Sequence, residues 1–117
     1  MMNQICIIGR LVRDPETKEL EDGKRVSNIT VAVQRSYKNE NGEYEADFID
    51  CTLWNGVAEN VKEFCRKGDI VGVKGRIQTN LYEDKDGNKK KDMSIIADKV
   101  SFLSSKKEHE KDDDMEV

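Results

Sequence analysis

Apolar and polar residues alternate with a period of two along much of the chain, the spacing of half-buried β-strands. Over residues 26–37, Ile29, Val31 and Val33 share one side, and Asn28, Thr30, Ala32 and Gln34 the other. Over 45–54, Ile49, Cys51 and Leu53 oppose Phe48, Asp50, Thr52 and Trp54. Over 70–82, Val71, Val73, Ile77 and Leu81 oppose Lys74, Arg76, Gln78, Asn80 and Tyr82. Two further strands are predicted over 3–11 and 94–103. The last alternates less cleanly around Lys99, where a β-bulge is expected. One segment breaks the period. Val57, Val61, Phe64 and Cys65 recur at helical spacing, which predicts a helix over 55–67 with Asn55 as N-cap and Gly68 as C-cap glycine.

Turn residues punctuate these segments at Asp14-Pro15, Glu21-Asp22-Gly23, Asn39-Glu40-Asn41-Gly42, Lys67-Gly68-Asp69 and Asp84-Lys85-Asp86-Gly87-Asn88. The order is three strands, a helix, then two strands. It predicts an all-β domain: a five-stranded, partly open OB-fold barrel with one α-helix between strands 3 and 4. The barrel is expected over residues 1–103. From 104 onward apolar content falls away, and 104–117 is expected to be a disordered acidic tail.

Charge separates the same two parts. The 117 residues carry a net −4. Residues 106–117 hold three Lys and six Asp/Glu, a net −3, which leaves the preceding 105 residues at −1. A body so near neutrality carries a basic surface if its charges are sorted by face. The longest unbroken apolar run, Ile5-Cys6-Ile7-Ile8, is far short of the roughly 20 residues of a membrane-spanning helix. No basic segment followed by an apolar stretch opens the chain. Cys6, Cys51 and Cys65 form no C-x-x-C pair and read as reduced, small, buried apolar residues. A cytoplasmic location is therefore expected.

The chemistry-bearing residues disfavour an enzyme. The only histidine, His109, lies in the charged tail and supports neither a zinc site nor a Ser/His/Asp triad. No metal or cofactor is expected. A nuclease using clustered carboxylates is the enzymatic alternative, but Asp47 and Asp50 fall on opposite sides of one strand. A protein-interaction module is the other alternative.

The polar faces supply the candidate site. Phe48 and Trp54 lie among polar side chains on the third strand, and Tyr82 lies with Lys74 and Arg76 on the fourth. Aromatic rings beside cations suit single-stranded nucleic acid, because bases stack on rings and Lys/Arg neutralise phosphates without reading base order. The alternative is that the rings pack under a loop or against a partner subunit. Lys89-Lys90-Lys91 reads as a solvated turn or as a backbone clamp.

The ordered set Asn3, Ile8-Gly9-Arg10-Leu11, Asp14-Pro15-Glu16, Val26, Ile29-Thr30-Val31-Ala32-Val33 and Glu45-Ala46-Asp47-Phe48-Ile49 resembles the bacterial-type single-stranded DNA-binding proteins. The likeness continues through Trp54, Ala58-Glu59-Asn60, Lys67-Gly68, Val73-Lys74-Gly75-Arg76-Ile77-Gln78-Thr79 and Tyr82, and covers about residues 1–103. It looks like the short forms of bacteria, phages and mobile elements. The resemblance implies sequence-independent binding and protection of single-stranded DNA in replication, recombination and repair. It also implies a homotetramer, in bacterial cytoplasm at the nucleoid or, if phage-encoded, in host cytoplasm. It places the stacking aromatics at Tyr37, Phe48, Trp54 and Tyr82. Tyr37 is assigned by resemblance alone, since strict parity puts it on the core side. The expected phosphate contacts are Lys74 and Arg76 with Arg35, Lys38, Arg66 and Lys67. In the family the acidic tail docks replication and repair proteins through a terminal Pro-Phe. Here Asp112, Asp113 and Asp114 supply the acidic run, but Met115-Glu116-Val117 stands where Pro-Phe is expected. The chain also has Asn55-Gly56, Gln78, Asn80 and Leu81 where relatives are often basic.

Overall fold

Strand β3 (Arg25–Lys38) organises the barrel. It pairs with β4 (Tyr44–Trp54) along almost its whole length and with β1 (Ile5–Leu11) at Arg10↔Ala32 and Leu11↔Val31. β1 runs on to pair with β5 (Ile70–Glu83), and β5 pairs with β6 (Lys89–Ser104). A short parallel ladder between β4 and β6 closes the ring of five strands. Helix α1 (Asn55–Phe64) lies between β4 and β5, as the expected OB-fold barrel requires. The two-residue β2 (Lys18–Glu19), which the alternation does not signal, pairs with the start of β3. The computed structural model describes residues 1–105. The last strand runs one residue past its expected end, to Ser104, and of the expected tail residues 106–117 lie outside the described residues. Among the described residues no helix is long and apolar enough to cross a membrane.

The core is built from the predicted inward faces. Leu11, Ile29, Val31, Cys51, Leu53, Val71, Val73 and Ala97 are buried, and Ala58, Val61 and Cys65 close one end. Two inward-parity residues depart from the pattern: Ile77 is partly exposed and Leu81 largely so. Leu81 lies where β5 has run past the barrel into a projecting hairpin, with no core left to face, and Ile77 lies level with the β4–β6 ladder, at the point where that ladder ends. The expected bulge is real. Lys74 pairs with Lys99 but Gly75 pairs with Ala97, so Asp98 is the extra residue on β6.

The helix differs from its prediction at both ends. Asn55 is its first residue, not its N-cap; it takes a positive φ of 50° and its Oδ1 accepts from the Arg25 N–H at 3.1 Å. The helix stops at Phe64 because Cys65 turns extended, and Phe64 itself points to solvent. The Arg66 guanidinium then satisfies the terminal carbonyls, donating to Lys62 O and Cys65 O at 2.8 Å each. Gly68 instead turns the chain toward β1, its N–H donating to Leu11 O at 2.8 Å.

Candidate nucleic-acid interface

Two hairpins carry most of the candidate residues, and their turns share one construction. Asn39 N–H donates to Glu43 O, and its Oδ1 accepts from the N–H groups of Asn41 and Glu43. Asp84 does the same with Asn88 O and the N–H groups of Asp86 and Asn88. Gly42 and Gly87 supply the positive φ, 78° and 80°, that closes each turn. The sequence reads as turns here because Asn or Asp stands three residues before Gly.

On the outer face of β3 and β4, cross-strand pairs run Ala32↔Phe48, Thr30↔Asp50, Asn28↔Thr52 and Val26↔Trp54. Phe48 is 68% exposed and Trp54 37%, so both rings are available to a ligand. The positions between them are a hydrogen-bonded floor. Thr30 Oγ1 donates to Asp50 Oδ1 at 2.6 Å, and Thr52 Oγ1 donates to Asn28 Oδ1 at 3.1 Å. Arg13, which the sequence reading does not single out, reaches over this floor and donates to Thr30 Oγ1 at 3.0 Å.

Tyr37 is exposed, against its parity. The β3–β4 register changes between Gln34↔Ala46 and Lys38↔Tyr44, so β3 carries two extra residues there. Tyr37 lies inside that irregularity, where period-two counting fails. Lys38 sits 5.5 Å from the centroid of the Tyr44 ring. Tyr44 is a further exposed aromatic, and its parity with Phe48 and Trp54 was available as a signal.

Tyr82 is exposed on the β5–β6 hairpin and pairs with Lys90. Lys89, Lys90 and Lys91 are strand residues rather than a turn, so Lys90 adds a cation beside this ring.

The six expected cations are not equivalent. Arg35 donates to Asp47 through Nε and Nη2 and to Glu45 through Nη1. This pairing raises the Arg35 pKa and holds the Asp47 carboxyl below its usual range. Arg76 donates to Asp98 at 2.9 Å, and Arg66 serves the helix end. Lys67 and Lys74 are exposed and enter no side-chain ion pair among the described residues, and Lys74 shares the outer face with Tyr82. Asp112, Asp113 and Asp114 lie outside the described residues.

Asp47 is committed to Arg35 and Asp50 to Thr30, and no group of three or more metal-ligating side chains occurs among the described residues. Cys51 and Cys65 are buried as expected, and burial pushes the Cys51 thiol up to about 11. Cys6 departs from the expectation: it faces outward from β1, opposite Lys74, and is exposed.

The profile of the single-strand binding protein family matches residues 2–103. The chain is 45% identical over 106 residues to single-stranded DNA-binding protein B of Bacillus subtilis, covering 91% of this chain and 94% of that protein. It is 46% identical over 108 residues to single-stranded DNA-binding protein 1 of Clostridium acetobutylicum, covering 92% and 98%. Single-stranded DNA-binding protein 2 of Listeria monocytogenes is 45% identical over 106 residues, and there the match spans 91% of this chain and 66% of the relative.

Proposed function

The chain belongs to the single-strand binding protein family, and on that premise we propose that it binds and protects single-stranded DNA without regard to base order. The observation that carries this is the exposed rings on the outer faces of two hairpins. Phe48 and Trp54 stand on β4, and Tyr82 stands on β5 with Lys74. Each ring offers a stacking platform worth about 1–3 kcal/mol per base. The cations between them act on phosphates, so affinity falls with salt. Tyr37 and Tyr44 extend the platform along the β3–β4 hairpin, with Lys38 between them. Lys67, Arg76 and Arg35 complete the phosphate-binding set, the two arginines after exchanging their present partners, while Arg66 stays on the helix end. The protein acts by binding rather than catalysis, during replication, recombination and repair in the cytoplasm. It works as a homotetramer, whose assembly covers strand edges that one barrel leaves open. The acidic tail, with Asp112, Asp113 and Asp114, offers only Met115 and Val117 as apolar side chains and would hold replication or repair proteins poorly, so it acts mainly by its charge.

Titration with oligo(dT) while following Trp54 fluorescence tests the reading. Quenching that saturates, weakens with salt and is absent with duplex DNA is the expected result. No quenching, or equal affinity for duplex, overturns it. Light scattering at micromolar concentration separately tests the tetramer.

A further inference from the structure

The barrel wall has a gap between the two hairpins. β4 and β6 pair only at Cys51↔Ile95 and Thr52↔Ile96, and the ladder ends there. A slot of about 320 Å³ opens at that point. Of the residues that line it, Phe48, Asp50 and Ser94 hold outward register positions and form its rim, and Ile49, Ile77, Met93 and Ile95 hold inward ones and form its floor. The register explains this division. Ile77 pairs with Ile95 and Thr79 with Met93, on the face that continues the core side of β5, while Gln78 pairs with Ser94 on the outer face. Met93 is 62% exposed. An apolar floor left open to water beside an exposed ring calls for an occupant.

We propose that this slot takes one nucleobase of the bound strand, turned inward past Phe48. The proposal rests on the single-strand reading, because the strand must already lie across Phe48. A base has apolar faces and polar edges, which matches an apolar floor with a polar rim. The Met93 thioether is flexible and polarizable, so it adapts to either ring size. The Asp50 carboxylate disfavours a phosphate at the rim, so the sugar–phosphate chain stays outside. The rim is set before any base arrives: Asp50 accepts from Thr30 at 2.6 Å, and Ser94 Oγ accepts from Asn80 Nδ2 at 3.2 Å. The volume sits at the low end of the roughly 300–1,000 Å³ of ligand pockets, which suits one ring system. A second copy of the chain is the rival occupant. The continuity of the slot with Phe48 favours the base.

Methionine oxidation of the full-length chain by hydrogen peroxide, read residue by residue by mass spectrometry, tests the slot. Met1 and Met2, 132% and 90% exposed, serve as internal controls. Saturating oligo(dT) is expected to slow oxidation at Met93 several-fold and leave Met1 and Met2 unchanged. Met93→Ala is expected to bind oligo(dT) roughly threefold to tenfold more weakly, the scale of about one to two buried CH2 groups. Oxidation of Met93 at full rate while Trp54 is quenched overturns the slot and leaves the single-strand reading standing. Wild-type affinity in Met93→Ala does the same. Protection that grows with protein concentration in the absence of DNA gives the slot to a second copy and overturns the proposal. Absence of any quenching removes the single-strand reading and the slot together.

Discussion

Arg35 and Asp47 face each other across the β3–β4 hairpin and share a two-pronged ion pair, with Nη2 2.8 Å and Nε 3.2 Å from Asp47 Oδ1. A cation held this way reaches a phosphate only after leaving its carboxylate. Asp47→Asn is therefore expected to raise affinity for oligo(dT) at low salt, since the neutral amide releases the guanidinium. An affinity that falls or stays level would show that Arg35 does not meet the DNA.

The same pair has a pH signature. Its folded-state carboxyl titrates below the ordinary 3.8. A depressed carboxylate contributes stability above its unfolded pKa, and that contribution fades as pH falls through the folded value. Wild type should thus gain over Asp47→Asn above about pH 4, and the two should converge in stronger acid. Denaturation midpoints against pH measure the difference. Both groups face solvent, so the effect is small and salt-sensitive.

Trp54→Ala should weaken oligo(dT) binding by about 1–3 kcal/mol while leaving the fold intact. The ring shares its face with Phe48 and Thr52, and the core beneath is supplied by Cys51 and Leu53. Circular dichroism and thermal unfolding separate the two effects. Loss of cooperative unfolding would make Trp54 a structural residue.

Lys74 and Arg66 should part company in a salt titration. Lys74→Ala removes an exposed cation beside the Tyr82 face and should lower the slope of log affinity against log salt by about 0.7. Arg66→Ala should leave the slope nearly unchanged and cost about 1 kcal/mol of stability, because its donors hold the carbonyls of Lys62 and Cys65. A slope change in Arg66→Ala equal to that in Lys74→Ala would show that the arginine releases the helix to bind phosphate.

What the sequence made legible follows from where alternation has a core to report on. Ile29, Val31, Cys51, Leu53, Val71 and Val73 were readable because each strand there has one dry and one wet side. Ile77, Leu81 and Tyr37 escaped the same rule: Ile77 lies where the β4–β6 ladder ends, Leu81 on a hairpin that outruns the barrel, and Tyr37 where β3 gains two residues. Phe48, Trp54 and Tyr82 were readable as aromatics on polar faces. The commitments of Arg35, Arg66 and Arg76 were not, since each depends on a partner fixed only by register or by the end of the helix. The early helix stop was hidden because Cys65 is buried whether the backbone there is helical or extended.

The thiols offer a check on the packing. Cys6 should react readily with a thiol reagent in the native protein, whereas Cys51 and Cys65 should react only on unfolding. Burial both shields these two and raises their pKa, lowering the thiolate fraction. Fast labelling of all three thiols in buffer would contradict the closed barrel.

The acidic segment 106–117 should bear on the proposed binding face through its charge. It places a net −3 on the same chain as Lys38, Lys67, Lys74 and Lys90. Tethered anions compete with phosphates for such cations, and the competition is screened over about 10 Å at 0.1 M salt and about 3 Å at 1 M. Deleting 106–117 should therefore raise oligo(dT) affinity at low salt and leave it unchanged at high salt. The segment offers only Met115 and Val117 as apolar side chains, so it has little with which to bury itself in a partner's groove. A synthetic 106–117 peptide should accordingly weaken DNA binding to the truncated chain in a salt-dependent way. Truncation that lowers affinity, or a gain that survives 1 M salt, would mean that the segment acts on DNA by something other than its charge.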